Sequence, residues 1–292
     1  MKHAKTNYST KSTLAAAWRS VRSLAYYGHH VKLLNMTVVW QYVRQAAQHD
    51  LFYHLNHRNY LANFLSLAER AEFALSHMGV ENQAFNDHYK ENVYLKGGLV
   101  VWEQTVKDMS FQIQLRMASR IAPEGDLELV MFVDGERLYN YKFSWLDGAK
   151  IGKPGTIVPW ITTCQGISRE RVDRASKFSD AFPNNWPKMF CLAALKGVAA
   201  AMQSDVMVGI PGHAQIALKD GDDERFYSSY DTFWLSLNGV MTSRYGYIVP
   251  LDTPDKDLAE VTAKHRNRAR KRRQHWAEIE QSVTHALSNC RA

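Results

Sequence analysis

Read for its spacing of apolar and polar positions, the chain divides near Gly97-Gly98. Residues 12–94 predict helices. In LAERAEFALSHM (67–78) the apolar positions Leu67, Ala71, Ala74, Leu75 and Met78 fall on one helical face. Ser66 with Glu69 three residues on forms a capping box at its start, and Gly79 is the expected stop. VKLLNMTVVWQYVRQAAQ (31–48) is apolar nearly all round, which predicts a helix packed on two sides. Beyond the double glycine the period shortens to two. SFQIQLRMA (110–118) sets Phe111, Ile113, Leu115 and Met117 against Gln112, Gln114 and Arg116, a half-buried strand. LELVMFVDGERLYNYKFSWL (127–146) predicts a hairpin turning at Asp134-Gly135. TIVPWITTCQGI (156–167) predicts a strand kinked or bulged at Pro159. Helices are expected around 168–178 and over 186–203, a short buried strand at 206–212, and a helix at 229–239 capped by Ser229 or Asp231 and ended by Gly239. YGYIVPL (245–251) is the last expected strand.

Together these elements predict an α+β protein in three parts. They are an N-terminal helical layer (1–95), a mixed central β-sheet core (96–255) and a basic C-terminal helix (256–292). With 46% hydrophobic and 12% aromatic residues, the 292-residue chain can bury a sizeable core, and disorder is excluded. Arg19 and Arg22 interrupt the N-terminal apolar run, and MFCLAALKGVAAAM (189–202) contains Lys196 and is too short for a bilayer. Neither export nor a membrane span is expected. Cys164, Cys191 and Cys290 form no C-x-x-C pair and fit free thiols in a reducing compartment; Cys164, in a strand, is expected to be buried and inert. The histidines, with His29/His30 and His54/His57 the nearest to a ligand spacing, predict no metal site.

Charge changes the picture at one end only. Of a net +7, residues 261–292 hold +6, with eight Lys/Arg against Glu278 and Glu280. KHRNRARKRR (264–273) has seven basic residues in ten. On a helix Lys264, Arg268, Lys271 and His275 share a face, while Ala269, Trp276, Ile279, Val283 and Ala286 form an apolar stripe. Lys264, Arg268, Lys271 and Arg272 are the candidate polyanion-binding residues, because guanidinium and ammonium groups suit phosphate and carboxylate oxygens. The expected partners are an anionic membrane surface or an acidic carrier protein. Nucleic acid is less favoured, since no helix-turn-helix, zinc finger or aromatic RNA-binding signature accompanies the run. The plainer reading is a solvated helix docked by its apolar stripe.

Several stretches resemble the VirK/YbjX family of bacterial proteins: ERAEFALSHM (69–78), DGERLYNYKFSW (134–145), TCQG (163–166), FYSSYDTFWLSLNG (226–239), GYIVPL (246–251) and LAEVTAKHRNRARKRRQHW (258–276). The resemblance runs from about residue 50 to the C-terminus. It implies a cytoplasmic protein, peripheral at the inner membrane if the basic helix attaches there, in a group linked with virulence, envelope remodelling and resistance to cationic peptides. It supplies no catalytic residue. The order of elements also resembles the acyltransferase fold of N-acetyltransferases, in which a hairpin leads into a central strand, then helix, strand, helix and last strand. That resemblance implies an acyl-coenzyme A or acyl-carrier-protein donor entering where the central strand (156–165) splays from the strand after the helix (206–211). Gln165 and Gly166 would then donate hydrogen bonds to an acyl carbonyl. The stretch QGISRERVDR carries one glycine where that fold's phosphate loop usually has two.

His213 follows the 206–212 strand through Pro211-Gly212, where α/β sheets present ligand groups, and an imidazole can exchange a proton near neutrality. Tyr230 is its candidate assisting acid or orienter. The plainer alternative makes His213 a turn residue, Tyr230 and Trp234 core aromatics, and Asp231 an N-cap. Two functions stay open: acyl transfer from a thioester to an amine or hydroxyl, and a non-enzymatic envelope or stress accessory role through the basic helix.

Overall fold

A computed structural model describes Trp18 and residues 21–46, 51–119, 123–165, 172–252, 259–260 and 262–292. Its fold is α+β, with helices around one mixed, open, eight-stranded sheet. The N-terminal part is broken into short pieces: α1 (Arg22–Ala25), α2 (Tyr27–Leu34), a π-helix (Val38–Val43) and α3 (Tyr53–Asn56). The expected helix over 31–48 is therefore interrupted after Leu34, and the Asn82 carboxamide accepts the Val38 N–H just beyond the break. Next come α4 (Leu67–Ala84), α5 (Asp87–Lys90) and a second π-helix (Glu91–Leu95).

The capping box at Ser66 and Glu69 opens α4 as expected, but Gly79 does not end it. A glycine inside a helix costs about 1 kcal/mol. The turn beyond it carries Glu81, which accepts from Tyr89 Oη (3.2 Å), Tyr94 Oη (2.8 Å) and Trp145 Nε1 (2.6 Å) in the interior. Tertiary bonding holds the extra turn, and the helix stops at extended Phe85.

The strands are β1 (Leu99–Val106), β2 (Met109–Met117), β3 (Leu127–Val133), β4 (Glu136–Asp147), β5 (Ile157–Gln165), β6 (Val206–Gly209), β7 (Val240–Ser243) and β8 (Gly246–Pro250). Their order is β1-β2-β3-β4-β5-β6-β8-β7. Asp134 and Gly135, at φ 50° and 76°, make the tight hairpin turn that their sequence predicts. Strands β1 and β7 were not expected. Every neighbouring pair is antiparallel except β5 and β6.

Between β5 and β6 lie α6 (Val172–Ala181) and α7 (Pro187–Ala201); after β6 come α8 (Asp223–Ser229) and α9 (Asp231–Ser236). Helix α4 packs on β4, and α7 lies across β3, β4, β5 and β6. The last helix, α10 (Ala263–Ser288), docks on α7 and β1. That contact is close: a Cβ added at Gly197 would lie 2.6 Å from the Glu280 carbonyl oxygen and 2.7 Å from Val283 Cβ. Among the described residues, no helix is long and apolar enough to cross a membrane.

Candidate functional site at the end of strand β5

Strand β5 changes character halfway along. Its first half pairs with β4 along its length and with β6 at Trp160 and Ile161. Trp145 pairs with Pro159 on the β4 side, and Trp160 and Ile161 pair with Val208 and Gly209 of β6. Pro159 makes no bulge. It stands in register opposite Trp145, one residue before β5 meets β6. The irregularity falls at Thr162, the extra residue between the pairs Phe143–Ile161 and Lys142–Thr163. The Thr162 hydroxyl bonds the Glu124 carbonyl and, at 3.3 Å, the Lys142 carbonyl. Below it the side chains of Lys142 and Glu124 form a buried ion pair at 2.7 Å.

The parallel pairing ends with Ile210 N–H on the Ile161 carbonyl (2.9 Å), and the chain then turns away at Pro211. The turn is tightly strapped. Asp231 accepts from Gly212 N–H (2.8 Å) and Tyr247 Oη (3.0 Å), so its carboxylate braces a loop and does not cap a helix. Trp234 Nε1 donates to the Ile210 carbonyl (2.9 Å), and its ring lies so close to Gly209 that an added Cβ would sit 2.3 Å from it.

Beyond Ile161, side chains replace the missing strand. Gln215 Nε2 donates to the Thr162 carbonyl and lies 3.0 Å from Thr163 Oγ1 and 3.2 Å from Tyr230 Oη. Tyr230 Oη also accepts from Cys164 N–H at 3.4 Å. Gln215 is 1% exposed and Tyr230 6%. Tyr230 separates α8 from α9, so the helix expected over 229–239 runs only over Asp231–Ser236, and α8 before it was not expected.

Burial pushes the Tyr230 hydroxyl far above its ordinary range, so it stays protonated. Burial likewise pushes the Cys164 thiol up to about 11, against the Lys188 ammonium and the Tyr230 and Tyr139 hydroxyls, which favour the thiolate. At neutral pH Cys164 is therefore a thiol. Burial lowers the Lys188 ammonium; its Nζ lies 3.3 Å from the centroid of Phe233 and donates to the Ser229 carbonyl (3.4 Å).

Of the residues singled out from sequence, Tyr230 sits at the β5 edge among these groups. His213 lies on the exposed surface of the adjoining turn, where its carbonyl accepts from Asn63 Nδ2 (2.8 Å). Among the described residues its imidazole makes no hydrogen bond, and Gln215 links the turn to Tyr230. Gln165 closes β5 opposite Asn140, and its side chain lies outside the described residues, as does Gly166. Sequence reading missed Gln215, Lys188 and Tyr139. An isolated glutamine, lysine or tyrosine carries no pattern, and only the turn at Pro211 brings Gln215 to β5.

The basic residues stand apart from this cluster. Lys264, Arg268 and Lys271 are exposed on the first half of α10, and among the described residues neither they nor Arg272 join an ion pair. The Arg272 guanidinium lies over the Trp276 ring, 5.9 Å from its centroid. The second half of the helix is docked, with Ile279, Val283 and Leu287 wholly buried.

A family model described as "Protein of unknown function (DUF535)" matches residues 9–285. No curated protein and no solved structure matches the chain.

Proposed function

Starting from the fact that the chain belongs to the DUF535, or VirK/YbjX, family, we propose that it is an acyltransferase-like enzyme whose thioester donor binds along the end of β5. The observation that carries this reading is the parting of β5 from β6 after Ile161, with the Thr162 carbonyl and Cys164 N–H bonded to side chains instead of a strand. A strand partner cannot leave without unfolding the sheet. The Gln215 amide can rotate away, and an arm containing amide groups, such as that of coenzyme A or an acyl carrier protein, would replace one amide by another. The number of hydrogen bonds is then conserved, which keeps the exchange near balance.

The order of elements also supports the reading. A hairpin (β3–β4) leads into β5, two helices lead to the single parallel neighbour β6, and a last hairpin (β7–β8) returns beside it. In the proposed reaction an amine or hydroxyl attacks the thioester carbonyl carbon. The new C–N or C–O bond forms as the C–S bond breaks. His213, at the open turn, accepts the proton of the attacking group and returns it to the departing thiolate. Tyr230, kept protonated by burial, donates a hydrogen bond that orients the thioester and keeps its own proton.

Purified protein incubated with short- and long-chain acyl-coenzyme A and a panel of amines should release free thiol. His213→Ala should lose about 10²–10⁴-fold of that rate with little change in melting temperature, because the residue is exposed. Wild-type protein that releases no thiol with any donor, or His213→Ala as active as wild type, would count against the assignment.

A second reading rests on its own observation, the exposed basic residues Lys264, Arg268 and Lys271 without ion pairs. In it the helix holds the protein to an anionic membrane surface or an acidic carrier protein. Removing α10 would not test this, since Ile279, Val283 and Leu287 belong to the core. Charge-removing substitutions would.

A further inference from the structure

Helices α7 and α10 touch at Gly197 and again where His275 meets Phe190, ring centroids 5.9 Å apart. Each contributes one face to the space between them: Met189, Leu192, Ala193 and Lys196 from α7, and Arg273, Trp276, Ala277 and Glu280 from α10. Both sets follow the i, i+3, i+4, i+7 spacing of a single helical face. Met207 of β6, Leu237 after α9 and Val249 of β8 close the floor. The resulting cavity has a volume of about 420 Å³, within the range of roughly 300–1,000 Å³ common for small-molecule sites.

Its chemistry is divided. Met207, Leu237 and Val249 with Met189, Leu192 and Ala193 of α7 give it an aliphatic and thioether surface, Ser236 and Asn238 also line it, and methionines adapt to flexible chains. Among the described residues the polar side holds Arg273, Lys196, whose Nζ also donates to the Leu251 carbonyl (3.0 Å), and Glu280, whose acidity burial weakens despite the Lys196 ammonium. Trp276 lines the same side, and its indole N–H is buried without a hydrogen-bond partner. A buried donor left unmatched costs on the order of 1–3 kcal/mol and calls for an acceptor oxygen.

We infer that this cavity binds a single acyl chain ending in an anionic head, with the chain over Met189, Leu192, Met207 and Val249 and the head oxygens toward Trp276 Nε1 and Lys196. A fatty carboxylate and a phosphate-headed lysolipid share that chemistry. The site is separate from the end of β5 and stands whether or not acyl transfer occurs there.

Isothermal titration calorimetry on the full chain tests it with laurate and 1-lauroyl lysophosphatidic acid below their micellar concentrations. Dodecyl maltoside (same chain, neutral head) and acetate (head without chain) are the controls. At least one anionic amphiphile should bind saturably at one per chain, and the tighter one identifies the head. Dodecyl maltoside should bind at least tenfold more weakly and acetate not measurably. Trp276→Phe removes the N–H and should weaken binding roughly ten- to a hundredfold. Leu192→Trp, which fills the cavity, should abolish it; if that variant does not fold, Met189→Trp on the same wall takes its place. The inference is overturned if neither anionic amphiphile binds, if dodecyl maltoside binds as tightly, or if a folded cavity-filling variant binds like wild type.

Discussion

The two halves of β5 lie in one strand and are held by different means. At Trp160 and Ile161 the strand is paired on both edges, and Trp160, wholly buried, packs against Phe73 (ring centroids 5.2 Å apart) and Tyr245 (5.6 Å) while its Nε1 donates to the Tyr245 carbonyl (2.9 Å). Beyond Ile161 the edge facing away from β4 is held by Gln215 and Tyr230 side chains. Strand pairing and aromatic packing are cooperative and can be lost only with the fold. Side-chain hydrogen bonds can be exchanged one at a time. Under the proposed function, the edge held by exchangeable side-chain bonds is where the donor would bind.

The largest effect expected from breaking this comparison is in the packed half. Trp160→Ala should cost about 3–5 kcal/mol of stability, measured by denaturant unfolding. Tyr230→Phe, in the other half, should cost only about 1 kcal/mol. Equal losses at the two positions would erase the distinction. In the thiol-release assay Tyr230→Phe should nonetheless slow turnover, with the melting temperature nearly unchanged.

A titration sharpens the same contrast. Burial raises the Glu81 carboxyl above its ordinary range, against the His77 charge and the Trp145, Tyr94 and Tyr89 donors. The folded protein therefore keeps a proton that the unfolded chain releases. The contribution of this group to stability is greatest below the ordinary carboxylate range and falls as pH rises through the raised native value. Unfolding followed across that window should show the decline in wild type, and Glu81→Gln should flatten it. A slope unchanged by the substitution would assign it to other groups.

The smallest effect is expected where α10 repeats the division, with one docked and one solvated half. Replacing Lys264, Arg268 and Lys271 together by Gln should change stability by no more than about 0.5 kcal/mol per site, as exposed substitutions usually do. If the second reading of function holds, the same variant should lose salt-sensitive binding to anionic vesicles. Vesicle binding equal to wild type would leave the basic face as solvated surface only.

Much of the fold was legible in the sequence because it rests on local signals. Ser66 and Glu69 marked a helix start, Asp134-Gly135 a hairpin, and the alternation from Phe111 to Met117 a strand with one buried face. What escaped depends on contacts distant in sequence. Gly79 reads as a stop, yet Glu81 is held by Tyr89, Tyr94 and Trp145, so the helix continues. Strand β7 has little burial to write an alternation into its residues. At the candidate site, Tyr230 was visible beside a strand end. Gln215 was not, because its role exists only once β6 turns at Pro211 and brings it to Thr162.

The central claim, that the end of β5 accepts a thioester acyl donor, is tested most directly by native mass spectrometry. Protein purified from a bacterial host would be measured as isolated and after incubation with acyl-coenzyme A or acyl carrier protein, beside Gln215→Trp, whose bulk would block the edge. The account predicts one donor per chain on wild type, and none on the variant provided its melting temperature shows it folded. No donor on wild type under any condition, or equal occupancy on folded Gln215→Trp, would contradict it.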